Sequence, residues 1–286
     1  MLPVLGLAIL LVPVGRGAEH RYQSSGMVLG IDASHQALFV SHGSIPGYME
    51  AMSMPFQVRT PKVLEGLHRG DMVSFTLVVD KKSSWLEDVR VVPFDSAERD
   101  PVQASRLKLL DSLMGRSAAE MLAPGQVVPD FTLTAQDGRT VTFSQFRGKV
   151  VALNFVYTRC PLPDYCFRLS NYFGMLQKRF AARHDLVLLT VTFDPENDRP
   201  EVLARYGEVW KAIPGFWYFL TGAVSDIQRV CGLFGVAAFS DEGLLTHTLH
   251  TAVIDREGKL VTNIEGNRFS AIQLGDLVDA VMKRSR

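Results

Sequence analysis

Two groups of residues in this sequence could do soft-metal or redox chemistry. The first is His42 with Met49, Met52 and Met54. Three of the ten methionines fall within the stretch Gly47-Tyr48-Met49-Glu50-Ala51-Met52-Ser53-Met54. Met52 and Met54 are two apart, so on a strand their thioethers share one face. His42 ends the preceding apolar stretch, across a Pro46-Gly47 turn. Thioether sulfur with imidazole is a soft donor set that suits Cu(I) and not magnesium or calcium. The same spacing also fits methionines that fill an irregular core, and the residues alone leave both readings open.

The second group is Cys160, Cys166 and His247. Cys160 follows the apolar run 150–157, and helical spacing begins near Cys166. A thiol at a strand-to-helix junction lies near helix N–H groups, which favour the thiolate, at once nucleophile and soft-metal ligand. Pro161 and Pro163 argue against helix between the cysteines, so a loop is expected to join them. Their spacing can close around a metal or form a disulfide. Two inert structural cysteines are the plainer alternative.

These residues need elements to hold them. Between 24 and 93 the signals are short and β-like: 26–31, 37–41, 54–58, 72–79 and 85–92 are predicted strands, separated by turn residues. Five short strands in so few residues predict a small barrel. Residues 96–122 turn charged and then carry an amphipathic stretch (Leu107, Leu110, Leu113, Met114), which predicts a linker with one short helix. Beyond Gly125 strands alternate with helices. A hairpin is expected at 131–134 and 140–143, and buried strands at 150–157 and 186–193. Helices are expected at 167–183, 200–211, 224–234 and 272–282, a short strand at 216–220, and a hairpin at 249–254 and 260–264. That alternation predicts an α/β layer fold. The two folded segments, 20–95 and 123–286, are expected to fold independently.

Composition excludes several classes. The 286 residues hold 30 Lys+Arg against 30 Asp+Glu, so no basic excess supports nucleic-acid binding. With 47% hydrophobic residues the chain has matter for real cores. Three cysteines do not make a disulfide scaffold. Residues 2–14 are apolar but too short to span a bilayer, and small residues follow at Gly15, Gly17 and Ala18. This predicts an export signal over 1–18, despite the absence of Lys or Arg before the apolar run.

Residues 24–93 resemble the small periplasmic copper- and silver-binding proteins of the CusF type. The likeness rests on His42, Ile45-Pro46-Gly47, Ala51-Met52-Ser53-Met54-Pro55-Phe56 and Gly70-Asp71. It implies an OB-like barrel with His42, Met52 and Met54 as ligands of Cu(I). The family's metal-capping Trp is absent here. The shorter turn holds Tyr48 and Met49, so either Tyr48 caps the ion or Met49 is a further ligand. Residues 123–286 resemble the Sco/SenC family of thioredoxin-like copper chaperones. The residues that carry this are Pro124-Gly125, Pro129-Asp130-Phe131, the stretches 153–161 and 192–201, and His247-Thr248 followed by Asp255 and Gly258. The resemblance implies copper, Cu(I) or Cu(II), held by Cys160, Cys166 and His247. It also implies a copper acceptor as partner, a cytochrome oxidase subunit in a membrane, and a periplasmic or membrane-anchored location. The family's cysteines are three residues apart; here five intervene. His250 is a further candidate, but on one continuous strand 247 and 250 face opposite sides, and the eight-residue spacing to Asp255 selects His247.

Two functions compete. One is a metallochaperone that takes up Cu(I) and passes it on. The other is a thiol–disulfide oxidoreductase, with Cys160 and Cys166 as the redox pair, that reduces the cysteines of a copper acceptor. Pro214 is the last proline, so no cis-proline can precede the strand facing the cysteines, which favours metal binding. Tyr157 stands where a peroxiredoxin has Thr. Cys231 reads as a core residue, His20 and His35 as solvated, and His68 and His184 as partners of helix-end carbonyls. Asp194 either holds the cysteine loop or caps the following helix.

Overall fold

The short alternating segments near the N-terminus pair into strands. The computed structural model describes residues 19–93, 121–241 and 244–284. Strands β1 (His20–Asp32), β2 (Ala37–His42), β3 (Met52–Gln57), β4 (Met72–Val79) and β5 (Ser84–Val91) form an antiparallel sheet in the order β3-β2-β1-β4-β5. A parallel bridge from Val58 to Leu86 brings the chain just past β3 onto β5. The sheet thus curls around Val28, Leu38, Val40, Phe56, Phe75 and Leu86. β1 starts six residues earlier than the apolar pattern predicts. Its polar first half is held by backbone pairing with β4, from His20–Val79 to Ser25–Ser74, which needs no apolar side chains.

The C-terminal region begins with the hairpin β6 (Thr132–Ala135) and β7 (Thr140–Thr142), followed by β8 (Val150–Val156), helix α1 (Arg168–Phe180) and β9 (Leu186–Thr192). Then come α2 (Pro200–Val209), β10 (Trp217–Thr221), α3 (Val224–Leu233), β11 (Ala238–Asp241), β12 (Leu244–His247), β13 (His250–Ile254), β14 (Leu260–Glu265) and α4 (Ala271–Arg284). Seven strands form one sheet, β14-β13-β8-β9-β10-β6-β7, with β8, β9 and β10 parallel. Every residue of β8 and β9 is buried, as their largely apolar sequences lead one to expect of strands covered on both faces. Phe173, Leu176, Leu274 and Leu277 of α1 and α4 pack on one face. Ile227, Val230 and Phe234, from α3 and its end, pack on the other.

Two expectations are corrected. His247 and His250 do not lie on one continuous strand: β12 ends at His247 and β13 starts at His250. Thr248 is responsible. Its N–H donates to Ala237 O at 3.0 Å, its hydroxyl donates to Gly235 O at 3.2 Å, and the same hydroxyl accepts from the N–H of Ala237 at 3.0 Å. The chain breaks line there, so alternation does not carry from His247 to His250, and both imidazoles are buried. Second, the segment joining the cysteines is not wholly irregular. Pro163–Phe167 form one wide helical turn, broken at Tyr165 (φ −110°, ψ −107°), with Pro163 at its first position, where proline is tolerated.

The two regions share a seam. Met27 and Leu29 of β1 belong to the same apolar cluster as Leu274, Leu277 and Val278 of α4. Gly70 (φ +87°) lies so close to β14 that a Cβ would sit 2.4 Å from Thr262 Oγ1, leaving glycine as the residue this contact admits. The expected signal segment 1–18 and the linker helix with Leu107, Leu110, Leu113 and Met114 lie outside the described residues. Among the described residues, no helix is long and apolar enough to cross a membrane.

Candidate metal centre

Parallel strands deliver their following loops to one edge of a sheet, and that edge holds Cys160. β8 ends at Val156, beside Thr192 at the end of β9. The loop from Tyr157 to Cys160 is tied down by two carboxylates. Asp198, fully buried, accepts from the Thr158 N–H (3.0 Å), the Thr158 hydroxyl (2.5 Å) and the Thr192 hydroxyl (2.6 Å). Burial pushes its pKa up even so. Asp194 pairs with Arg159 at 2.8 Å and accepts from Asn197 at 2.8 Å. Asp194 therefore holds the cysteine loop, and the residue at the N-cap of α2 is Arg199.

Cys166 comes from the wide turn that leads into α1, and His247 from the end of β12. Their donor atoms and that of Cys160 lie within 4.8 Å of one another, and Cys166 Sγ stands 3.9 Å from His247 Nε2. His247 Nδ1 lies 3.0 Å from Thr248 O. A carbonyl only accepts, so Nδ1 carries the proton and Nε2 turns its lone pair toward the thiols. The ring is wedged between Phe193 (centroids 4.6 Å apart) and the edges of Tyr157 and Tyr165. The thiols are unequal. A hydrogen bond from Cys166 holds the Cys160 thiol well below its ordinary pKa, toward thiolate, while burial pushes Cys166 up. Burial and the neighbouring Cys160 push the Tyr157 phenol up to about 12.

The other predicted group forms at the end of the β2–β3 hairpin. His42 lies opposite Met52, and Val40 opposite Met54. Met52 is 46% exposed, whereas His42 is buried. His42 Nδ1 stands 2.6 Å from Gly43 O, so it too carries the proton, and Nε2 is buried with no hydrogen-bond partner among the described residues. An orphaned imidazole lone pair beside thioethers fits a soft cation. Both histidines are thus fixed in the same way, through the carbonyl of the next residue. Met49 closes the intervening turn by exchanging backbone hydrogen bonds with Ile45 at 2.8 and 3.0 Å. Tyr48 stacks on Tyr22 at 4.7 Å.

Residues 119–283 match the family model for SCO1/SenC. The chain belongs to the SCO1/SenC family. Residues 21–91 match a second model, that of the copper binding periplasmic protein CusF. The Sco-type region is 26% identical over 148 residues to a SCO1 protein homolog of Bacillus subtilis, covering 49% of this chain and 74% of that protein. It is 28% identical over 171 residues to protein sco1 of Schizosaccharomyces pombe, covering 56% of this chain and 62% of that protein. In fold it resembles a SCO1/SenC family lipoprotein from Bacillus anthracis, with a TM-score of 0.50, 23% identity, and coverage of 57% of this chain and 99% of that one. The α/β class of this region is accordingly thioredoxin-like.

His250 does not join the cysteines. It lies against Gly235 and Asn263, and burial lowers its pKa to about 4. Cys231 is a buried core residue, as expected. His20 and His35 are exposed, His35 pairing with Asp32 at 2.7 Å. His68 lies 3.8 Å from Asp71, not on a helix carbonyl. The sequence reading missed Thr158 and Asp198. Their signal was a hydroxyl placed directly after the apolar run 150–157, and a second Asp four residues beyond Asp194.

Proposed function

We propose that the chain is an exported copper-binding metallochaperone. The CusF-like region acquires Cu(I), and the Sco-type centre receives or delivers it. The observation that carries this reading is the convergence of Cys160, Cys166 and His247 within 4.8 Å. A thiolate and an imidazole sharing one trigonal soft ion, at bond lengths of about 2.3 and 2.1 Å, lie about 3.8 Å apart. The Cys166–His247 pair already stands at 3.9 Å, and the rest of the set needs to close by no more than about 1 Å. At the other centre His42, Met52 and Met54 would hold Cu(I). The Tyr48 ring is engaged with Tyr22, so Met49 is taken as the further ligand. Export is supported by the periplasmic protein whose model matches residues 21–91 and by the lipoprotein with the same fold. The partner would be a copper acceptor, a membrane-borne cytochrome oxidase subunit on the Sco resemblance.

A second reading draws on the unequal thiols. The Cys160 thiolate would attack an acceptor disulfide and release one acceptor thiolate. Cys166, losing its proton, would then displace the second, leaving the acceptor reduced and Cys160–Cys166 oxidised. His247→Ala in the full chain separates the two. The chaperone reading expects Cu(I) affinity at the cysteine centre, measured by chelator competition, to fall by more than the roughly 10–100-fold that loss of an outer partner costs. The dithiol would still oxidise. Unchanged copper affinity with a shifted reduction potential would reject the chaperone reading in favour of the oxidoreductase.

A further inference from the structure

We infer that Asp276 of α4 is a positioning residue for the His42–Met52–Met54 centre, acting across the seam from the Sco-type region. The inference rests on the assignment of those three residues as Cu(I) ligands. Asp276 Oδ2 accepts from the hydroxyl of Ser41, on β2, at 2.7 Å and from the hydroxyl of Ser53, on β3. One carboxylate oxygen therefore ties two strands together. Its other oxygen pairs with Arg179 of α1 at 2.7 Å, which fixes the carboxylate in place. Gln273, one turn earlier on the same helix face, donates to Ser41 O at 3.2 Å.

The two serines have a particular place in the hairpin. Ser41 and Ser53 are cross-strand partners, and the next pair is His42 with Met52. Neighbouring residues on a strand point to opposite faces, so the serines face α4 while His42, Met52 and Met54 face away from it. The clamp sits directly behind the ligands. It acts at the rung next to the one where the β2–β3 ladder ends at His42 and Met52 and the chain leaves for the intervening turn. Holding Ser41 against Ser53 holds the spacing of His42 and Met52, so the ligands are set before the ion arrives. A contact that only docked one region on the other would not need to bridge both strands at the rung beside the ligand pair.

The test uses the full chain carrying Cys160→Ser and Cys166→Ser, so that Cu(I) reads the methionine centre. Affinity is measured by chelator competition and thermal unfolding is followed alongside. Ser41→Ala with Ser53→Ala is expected to weaken Cu(I) binding about tenfold, in the range for lost outer partners of a metal site. Asp276→Asn should weaken it in the same direction, while Ser41→Thr with Ser53→Thr, which keeps both hydroxyls, should restore it. If Asp276→Asn fails to fold, the serine pair decides, because it leaves the Asp276–Arg179 ion pair intact. Lower melting temperature with Cu(I) affinity unchanged within twofold in the double-alanine variant would overturn the inference and leave Asp276 as a docking contact. A parent that holds no Cu(I) removable by Met52→Ala with Met54→Ala would overturn the ligand assignment, and the inference with it.

Discussion

His250 allows a quantitative test of how the surroundings of the cysteine centre are built. Its imidazole is 6% exposed, Nδ1 has no hydrogen-bond partner among the described residues, and burial lowers its pKa from 6.5 to about 4. Between those values the unfolded chain takes up a proton that the native protein refuses. Stability is therefore fully present above pH 6.5 and falls as pH falls toward 4. Each pH unit across the window is worth about 1.4 kcal/mol, so the window amounts to about 3 kcal/mol. His250→Phe removes the titrating group and keeps a ring in the cavity. Urea unfolding of both proteins from pH 7 to pH 4 should show the parent losing about 3 kcal/mol more than the variant, since the acid losses of the carboxylates are common to both. Parallel stability curves would refute the reasoning and mean that His250 is hydrated or paired in the native state. Copper affinity of the cysteine centre at pH 7 should not change, because His250 sits against Gly235 and Asn263 instead.

Other consequences can be checked on the same protein. Met52→Ala with Met54→Ala should abolish the methionine-dependent Cu(I) equivalent in a titration while circular dichroism stays native; a loss of about 4 kcal/mol or more with copper retained would make the methionines core residues. Thr158→Val removes one charge-assisted hydrogen bond to Asp198 and should cost about 1.5–3 kcal/mol in urea unfolding. Residues 123–286 alone should fold cooperatively but unfold at lower urea than the same region in the full chain, by about 3 kcal/mol or more, because the face covered by Met27 and Leu29 is laid bare.

What could be read in the sequence was what local pattern encodes. The largely apolar stretches became β8 and β9, and the Asn154 and Thr190 they carry hydrogen-bond to each other inside the sheet at 2.7 Å. The helical spacing after Cys166 became α1, and together they bring Cys160 and Cys166 to one place. The His–Met pattern needed only a two-residue period to put Met52 and Met54 on one face. What escaped depends on partners remote in sequence. The break after His247 is made by Thr248 bonding to Gly235 and Ala237, and no periodicity reveals that. The polar start of β1 is a strand only because β4 is there to pair with it. Asp198 looks like one more loop acid until Thr158, forty positions earlier, is laid against it. Asp276 falls in a helix whose spacing predicts nothing about the hairpin it clamps.

The five residues between Cys160 and Cys166 carry a thermodynamic consequence. Closing a loop costs entropy only as the logarithm of its length, so five residues in place of three add about 0.5 kcal/mol. Pro161 and Pro163 work against even that, since each restricts the unfolded chain by about 0.4–1 kcal/mol where its native conformation is compatible. The ends of the loop are already anchored, by the Thr158–Asp198 bonds on one side and by α1 on the other. A longer span between the thiols can therefore be accommodated at almost no cost to folding, and its length is free to answer to whatever must reach the two sulfurs.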